Sequence, residues 1–294
     1  MILVLLAIMV SGASLEGQNL RDGISALEAG RLDEAAQTLS EFVRQHPDSA
    51  DACYYLGLAH FRADRPAAAR PLLERAVGLS PASARAWKLL GLVTTSAGDL
   101  DGAVPALDKA CELARKDEEA CYYFARNLHA LGRYEAAREP FERALRAAPK
   151  QMLPRVHRAV ALNFAALGLS TEAERHFVKA VQLNGRQGED PRVDYGAFLF
   201  RQGRTEEALG PLQQAVRDVP SSARANAELG RVLLHLDRLV AAAACLEKTV
   251  AVEPGNWNAH LLLGRVYLRL GRVNEGEREM VMGQEGWGQH NPKR

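Results

Sequence analysis

Residues 118–151 read EEACYYFARNLHALGRYEAAREPFERALRAAPKQ, two helix-length halves on either side of a glycine turn. The turn itself is Leu-Gly-Arg-Tyr-Glu-Ala-Ala at 131–137. Close copies occur as Ala-Gly-Arg-Leu-Asp-Glu-Ala at 29–35 and as Gln-Gly-Arg-Thr-Glu-Glu-Ala at 202–208. Pro149 stops the second half, because proline cannot continue a helix. The predicted building block is therefore a pair of helices that recurs along the chain.

Small residues recur at a step of 34 positions within each half of the chain. On the first helix of each pair the series is Gly57, Gly91, Ala125, Gly196, Gly230 and Gly264. Twelve positions later, on the second helix, it is Ala69, Ala103, Ala137, Ala208, Ala242 and Gly276. Antiparallel helices approach closely only at small residues, and a single pair cannot bury its own apolar face. Stacked helix pairs with a continuous core are therefore predicted.

This pattern resembles the tetratricopeptide repeat (TPR), whose framework is W-x2-L-G-x2-Y…A-x3-F…A…P. The third repeat carries it on Trp87, Leu90, Gly91, Gly98, Leu100, Ala103, Leu107 and Ala110. The fourth carries it on Cys121, Phe124, Ala125, Leu128, Gly132, Tyr134, Ala137, Phe141, Ala144 and Pro149. The resemblance covers residues 16–283 and implies an all-α fold, a right-handed superhelical solenoid of stacked antiparallel helix pairs.

We predict about eight repeats over residues 16–284, followed by a polar tail at 285–294. The predicted repeat ranges are 16–49, 50–83, 84–117, 118–151, 154–187, 189–222, 223–256 and 257–284. The sequence shows no separate domain boundary. The stretch from Gly185 to Pro191, which holds both glycine and proline, is predicted to be an irregular joint.

The N-terminus differs from the rest of the chain. Met1 to Val10 is unbroken apolar sequence, and Ser11 to Ala13 are small residues. Ten residues are too few for a bilayer span, which needs about 20. They suit the apolar region of a secretory signal peptide, although no Lys or Arg precedes them. We predict a signal peptide at 1–15 and a secreted or periplasmic chain. The alternatives are an apolar turn packed on the first repeat, a membrane anchor, and a cytoplasmic location.

The TPR resemblance implies that first helices line a concave wall and expose the second, fifth, ninth, twelfth and thirteenth positions of each repeat. We call these positions the inner face. Its basic residues are Arg62, Arg85, Lys88, Arg126, Arg155, Arg158, Arg201, Arg224, Arg231, Arg265 and Arg269, and its acidic residues are Asp51, Glu119 and Asp190. The whole chain has a formal net charge of only +1. A basic inner face is therefore predicted.

Arginine presents paired donors to carboxylates, and aromatic rings serve as anchors at interfaces. The predicted partner is accordingly an acidic or mixed acidic–aromatic peptide segment. The predicted contact residues are Tyr54, Phe61, Arg62, Lys88, Tyr122, Arg126, His129, Arg158, Phe200, Arg201, Arg231 and Arg265. The alternative is that these arginines only solvate alanine-rich helices.

Motifs that carry chemistry are missing from the sequence. There is no nucleotide-binding glycine motif and no G-x-S-x-G, and none of the eight histidines pairs at i, i+4 with a carboxylate partner. We predict no catalytic residue, no metal and no cofactor. The predicted function is a non-enzymatic interaction scaffold or adaptor in an exported or envelope assembly. An RNA-binding helical repeat and a regulatory TPR subunit of an enzyme complex are the alternatives, and the near-neutral charge disfavours a nucleic-acid partner.

The four cysteines are Cys53, Cys111, Cys121 and Cys245. Cys111 ends one second helix and Cys121 starts the next first helix, two positions that the resemblance implies lie close together. The resemblance allows a disulfide between them in an exported chain. The alternative is four small buried hydrophobic residues.

Overall fold

The computed structural model describes residues 19–113, 118–184 and 190–290, and within these ranges it contains sixteen helices and no strand. The chain divides into two compact units, Met1–Lys150 (unit 1) and Gln151–Arg294 (unit 2). Unit 1 contains α1 (19–28), α2 (Leu32–Gln45), α3 (Ala50–Arg62), α4 (Pro66–Leu79), α5 (Ala84–Ser96), α6 (Leu100–Leu113), α7 (Glu118–Ala130) and α8 (Arg138–Ala147). Unit 2 contains α9 (Leu153–Ala166), α10 (Ser170–Leu183), α11 (Pro191–Arg201), α12 (Thr205–Asp218), α13 (Ala223–His235), α14 (Leu239–Val252), α15 (Trp257–Arg269) and α16 (Val273–His290).

The helices stack in consecutive pairs, as the TPR resemblance implied. Each odd-numbered helix packs on the even-numbered helix that follows it, and neighbouring pairs join through contacts such as α4 with α5 and α12 with α13. One buried apolar cluster runs through α1 to α6 and another through α9 to α15. The predicted solenoid of stacked antiparallel helix pairs is confirmed within each unit.

The turn inside each pair is closed by a residue with positive φ. Eight such residues occur in the described ranges: Gly30, Asp64, Gly98, Gly132, Gly168, Gly203, Asp237 and Gly271. A left-handed residue just after a helix satisfies the last carbonyl groups, and glycine adopts that conformation without a Cβ clash. The chain therefore folds as eight helix pairs.

The division between the units was not foreseen from the sequence. It falls between Lys150 and Gln151. The link there, 148–152, is one residue longer than the four-residue links 46–49 and 80–83. Pro149 stops α8, and α9 begins only at Leu153. The predicted joint at Gly185 to Pro191 has its central residues, 185–189, outside the described ranges.

Two predictions concern the chain ends. The predicted signal peptide at 1–15 lies outside the described residues. The predicted polar tail begins at 285, and α16 continues into it as far as His290. It continues because Gly283 and Gly286 lie directly against Leu261 and Trp257 of α15, which gives the extra turns a surface to pack on. Among the described residues, no helix is both long and apolar enough to cross a bilayer.

Candidate functional site

The inner face of unit 1 begins with Tyr54 on α3 and Arg85 on α5. The Arg85 guanidinium carbon lies 4.7 Å from the centre of the Tyr54 ring and 5.4 Å from that of Tyr55. Its Nη2 also lies 2.6 Å from Asp51 Oδ1. Burial raises the pKa of the Tyr54 phenol, so this ring is neutral over the physiological range. The charge of Arg85 is therefore compensated by the preceding repeat.

Lys88, Tyr122 and Arg126 follow along the same face. Lys88 Nζ lies 3.3 Å from Glu119 Oε2. Tyr122 was predicted to contact a partner, but it is only 3% exposed, because its ring packs into the core of the α7 repeat. The exposed Arg126 lies over that ring at 5.7 Å and has no ion pair within the part of the chain that the structure describes.

Three other predicted contact residues of unit 1 make internal contacts. Phe61 is half-buried and packs against the apolar cluster. Arg62 Nη1 donates a hydrogen bond to the carbonyl of Leu27, 3.4 Å away, at the end of α1. The His129 ring lies 5.1 Å from that of Tyr134. These residues contribute to the stacking of unit 1.

Asp194 is the residue that the sequence reading of unit 2 missed. It lies on α11, is 5% exposed, and accepts hydrogen bonds from Arg158 of α9 and Arg224 of α13. A buried carboxylate is stable only when it is paired, so both arginines are held by it. The sequence did contain a signal for this ion pair. Asp194 lies in an apolar stretch, 36 positions after Arg158 and 30 before Arg224, so each arginine is about one repeat away.

Phe200 on α11 is the aromatic residue of the inner face in unit 2. The Arg231 guanidinium carbon lies 5.1 Å from its ring centre, and the His235 ring meets it edge-on at 5.3 Å. Arg231 also pairs with Glu228, one turn earlier on α13. Arg201 and Arg265 are exposed and have no ion pair among the described residues.

The predicted basic character of the inner face is therefore smaller than the sequence count indicated. The count covered five positions per repeat and left out the carboxylates of Asp194, Glu228 and Asp237. These three neutralise arginines of unit 2, including Arg269, whose Nη2 lies 2.6 Å from Asp237 Oδ1. The basic contact residues without an ion pair within the described ranges are Arg62 and Arg126 in unit 1 and Arg201 and Arg265 in unit 2, and of these Arg62 donates to the Leu27 carbonyl.

A disulfide joins α6 to α7. The sulfur atoms of Cys111 and Cys121 are 2.07 Å apart and their Cα atoms 4.5 Å apart. Cys53 is buried and Cys245 half-buried, both as free thiols. Burial raises the pKa of both thiols, so they are poorly ionised and serve as small apolar side chains.

A histidine pair lies between α9 and α10. The Nδ1 atoms of His157 and His176 are 3.0 Å apart, so one imidazole donates a hydrogen bond to the other. Burial, followed by the neighbouring His176, lowers the pKa of His157 to about 4, and burial also lowers that of His176. Both rings are neutral near pH 7. Across the described ranges, no three His, Cys, Asp or Glu side chains cluster as a metal site would require.

Comparison with known proteins identifies the repeat. A family model described as tetratricopeptide repeat matches residues 20–84, 58–119, 198–248 and 241–279, and a second model of the same description matches 95–162. No curated protein sequence matches the chain.

Solved structures share the fold. A tetratricopeptide repeat protein from Parabacteroides merdae ATCC 43184 has a TM-score of 0.66 at 17% identity, over 85% of this chain and 98% of that chain. The APC/C hetero-tetramer Cut9-Hcn1 has a TM-score of 0.64 at 18% identity, over 83% of this chain and 48% of that chain. MamA AMB-1 is 30% identical with a TM-score of 0.51, over 56% of this chain and 96% of that chain.

Tetratricopeptide repeats bind protein partners and are generally non-enzymatic, which supports an interaction scaffold. The matches of the first family model alone extend over more than half of the residues. The helix pairs, the positive-φ residues of their turns and these matches agree, and the chain belongs to the tetratricopeptide repeat family.

Proposed function

We propose that the chain is a non-enzymatic scaffold that binds an acidic or mixed acidic–aromatic peptide segment of a partner protein. The supporting observation is that the inner face carries exposed arginines without an ion pair among the described residues: Arg126, Arg201 and Arg265. A partner carboxylate at these positions gains a charge-assisted hydrogen bond without displacing an existing pair. At Arg85 or Arg158 it would compete with a carboxylate of the chain itself.

The experiment is affinity capture from the native compartment with the full chain as bait. The test variant replaces Arg126, Arg201 and Arg265 by Glu. The control variant replaces three exposed arginines on second helices by Glu, namely Arg75, Arg175 and Arg217, so the change in net charge is identical. We expect the test variant to lose the partner and the control to keep it. Equal capture by the wild type and the test variant would refute the proposal.

We also propose that this scaffold works in an exported or envelope assembly. The apolar leader and small residues of 1–13 support export, as does the Cys111–Cys121 disulfide, since disulfides persist in oxidising compartments. Fractionation of cells that express the tagged chain, with N-terminal sequencing, tests this. We expect a processed chain in the exported fraction. Recovery in the cytoplasm with residues 1–13 intact contradicts it.

A further inference from the structure

Two equivalent side-chain clusters lie one repeat apart on first helices of unit 2. In site A, Phe200 of α11 is framed by Arg231 and His235 of α13, at 5.1 and 5.3 Å. In site B, Leu234 of α13 takes the place of Phe200, and Arg265 and Arg269 of α15 take the places of Arg231 and His235, each 34 positions on. The equivalence of the two sites rests on these matching repeat positions, and Arg269 Nη1 also donates a hydrogen bond to the backbone carbonyl of Leu234, 3.4 Å away.

Each site has hydrogen-bonding capacity that the described residues do not use. In site A, Arg231 gives one amino group to Glu228, but its buried Nε has no acceptor there. In site B, Arg265 is exposed and has no ion pair within the described ranges, and beside it Leu268 is 41% exposed. A ligand carboxylate can therefore bind the exposed Arg265 guanidinium without displacing an ion pair of the described residues.

Unit 1 does not repeat this arrangement. There Phe61 takes the place of Phe200, and the residues equivalent to Arg231 and His235 are Leu92 and Ser96, which carry no charge. At the next step, Arg126 and Ala130 frame the polar Thr95. Among the first helices compared within each unit, only α11, α13 and α15 therefore combine an apolar side chain with two basic neighbours in the described ranges.

We infer that sites A and B together bind one acidic segment of a partner protein that carries two apolar side chains, each next to a carboxylate. The inference rests on the proposed function and assigns it to unit 2. Each apolar side chain would cover Phe200 or Leu234, and each carboxylate would meet Arg231 or Arg265. Because the sites lie on consecutive first helices of one stack, engaging the first raises the effective concentration at the second.

The probe is a phage-displayed library of random 16-residue peptides, selected on the full chain, with selected peptides then measured by fluorescence anisotropy. We expect enrichment of peptides in which Asp or Glu adjoins Leu, Ile, Met or Phe twice. Mutating one of the two motifs should weaken binding roughly 10-fold, the effect of losing one anchored contact. Arg231→Glu and Arg265→Glu should each weaken it by about 10-fold or more, whereas Arg217→Glu, at an exposed position of α12, should leave it within about twofold.

Several outcomes are decisive. Selected peptides that bind the two unit 2 variants as tightly as the wild type overturn the inference. Peptides that depend on Arg126 overturn it while the scaffold function stands. If the library shows no acidic enrichment and the capture experiment yields no partner, both this inference and the proposed function are overturned. The same holds if single-stranded RNA, but not acidic peptide, displaces the captured partner. Circular dichroism checks that each variant is folded. If Arg231→Glu unfolds the chain, peptide binding by Arg265→Glu and Arg265→Lys, both at an exposed position, tests the inference without it.

Discussion

Asp194 sets the charge of the inner face around it, because it holds two arginines of neighbouring helices at a buried position. Removing Asp194 takes away the buried carboxylate that both arginines share, and breaking a buried ion pair costs about 3–5 kcal/mol. We expect Asp194→Ala to lower the free energy of unfolding of the full chain by that amount in urea titrations. Asp51→Ala is the matched control, since the Asp51–Arg85 pair is exposed and should contribute under about 1 kcal/mol. Equal losses in the two variants would contradict the assignment.

His157 gives the chain an acid-sensitive contact. The folded state protonates it only near pH 4 instead of at its ordinary value of 6.5, because burial and the neighbouring His176 disfavour the cation. Between these values the unfolded chain binds more protons, so stability falls as the pH drops from 6.5 towards 4. We expect the urea midpoint to fall between pH 7.5 and pH 5, and to fall less in His157→Gln.

The exposed His235→Gln variant serves as the control for this pH dependence and should keep the full decrease. An unchanged pH dependence in His157→Gln would show that other groups cause it. The contact with His176 is a neutral hydrogen bond at pH 7, so the glutamine variant is expected to fold.

At the scale of helices, the close approach within each pair depends on glycine. A Cβ placed on Gly91 would lie 2.5 Å from Leu107 Cγ. The same relation holds for Gly57 with Leu73. Overpacking a core costs about 1–3 kcal/mol, whereas Ala gains about 1 kcal/mol over Gly in a helix. We expect Gly91→Ala to destabilise the chain by about 1 kcal/mol in urea unfolding.

The chain contains a control for this prediction. A Cβ on Gly210, in the interior of α12, meets nothing within 4 Å, so Gly210→Ala should stabilise by about 0.5–1 kcal/mol. In the next repeat, the positions equivalent to Gly91 and Leu107 hold a larger pair, Ala125 and Phe141. We therefore expect Leu107→Phe to restore part of the stability that Gly91→Ala loses. Stabilisation by Gly91→Ala would refute the packing argument.

The disulfide closes a loop between Cys111, near the end of α6, and Cys121 of α7, ten positions apart. A loop of this size removes about 2–3 kcal/mol of entropy from the unfolded chain. Alkylation under denaturing conditions should label two cysteines without reductant and four with it, as read by intact mass. The Cys111→Ala/Cys121→Ala variant should unfold at a lower temperature. Labelling of all four without reductant would exclude the bridge.

At the scale of the whole molecule, the helix contacts of the described ranges join helices that are close in sequence, such as α5 with α3, α6 and α7. Stability in such arrays is a sum of repeat and nearest-neighbour terms. We expect Gly91→Ala to increase hydrogen exchange in α3 to α7 and to leave α13 to α16 at wild-type rates, measured peptide by peptide. Faster exchange throughout the chain would indicate a single cooperative unit instead.

The sequence by itself determined the stacked helix pairs and the family of the repeat. Those features depend on spacing along the chain: a 34-residue step, small residues at fixed offsets and recurring glycine turns. Such signals are local, because backbone conformation and close packing within a hairpin involve residues fewer than about 34 positions apart.

Only the tertiary structure decided which arginines remain available. Counting charges at inner-face positions predicted a broadly basic surface, whereas Asp194, Glu228 and Asp237 neutralise much of it in unit 2. It also showed that Tyr122 is buried and that the division into units falls at Lys150. Ion pairing and burial depend on where side chains from different repeats meet. Distances across repeats follow from the stacking of helices, and residue spacing alone does not contain them.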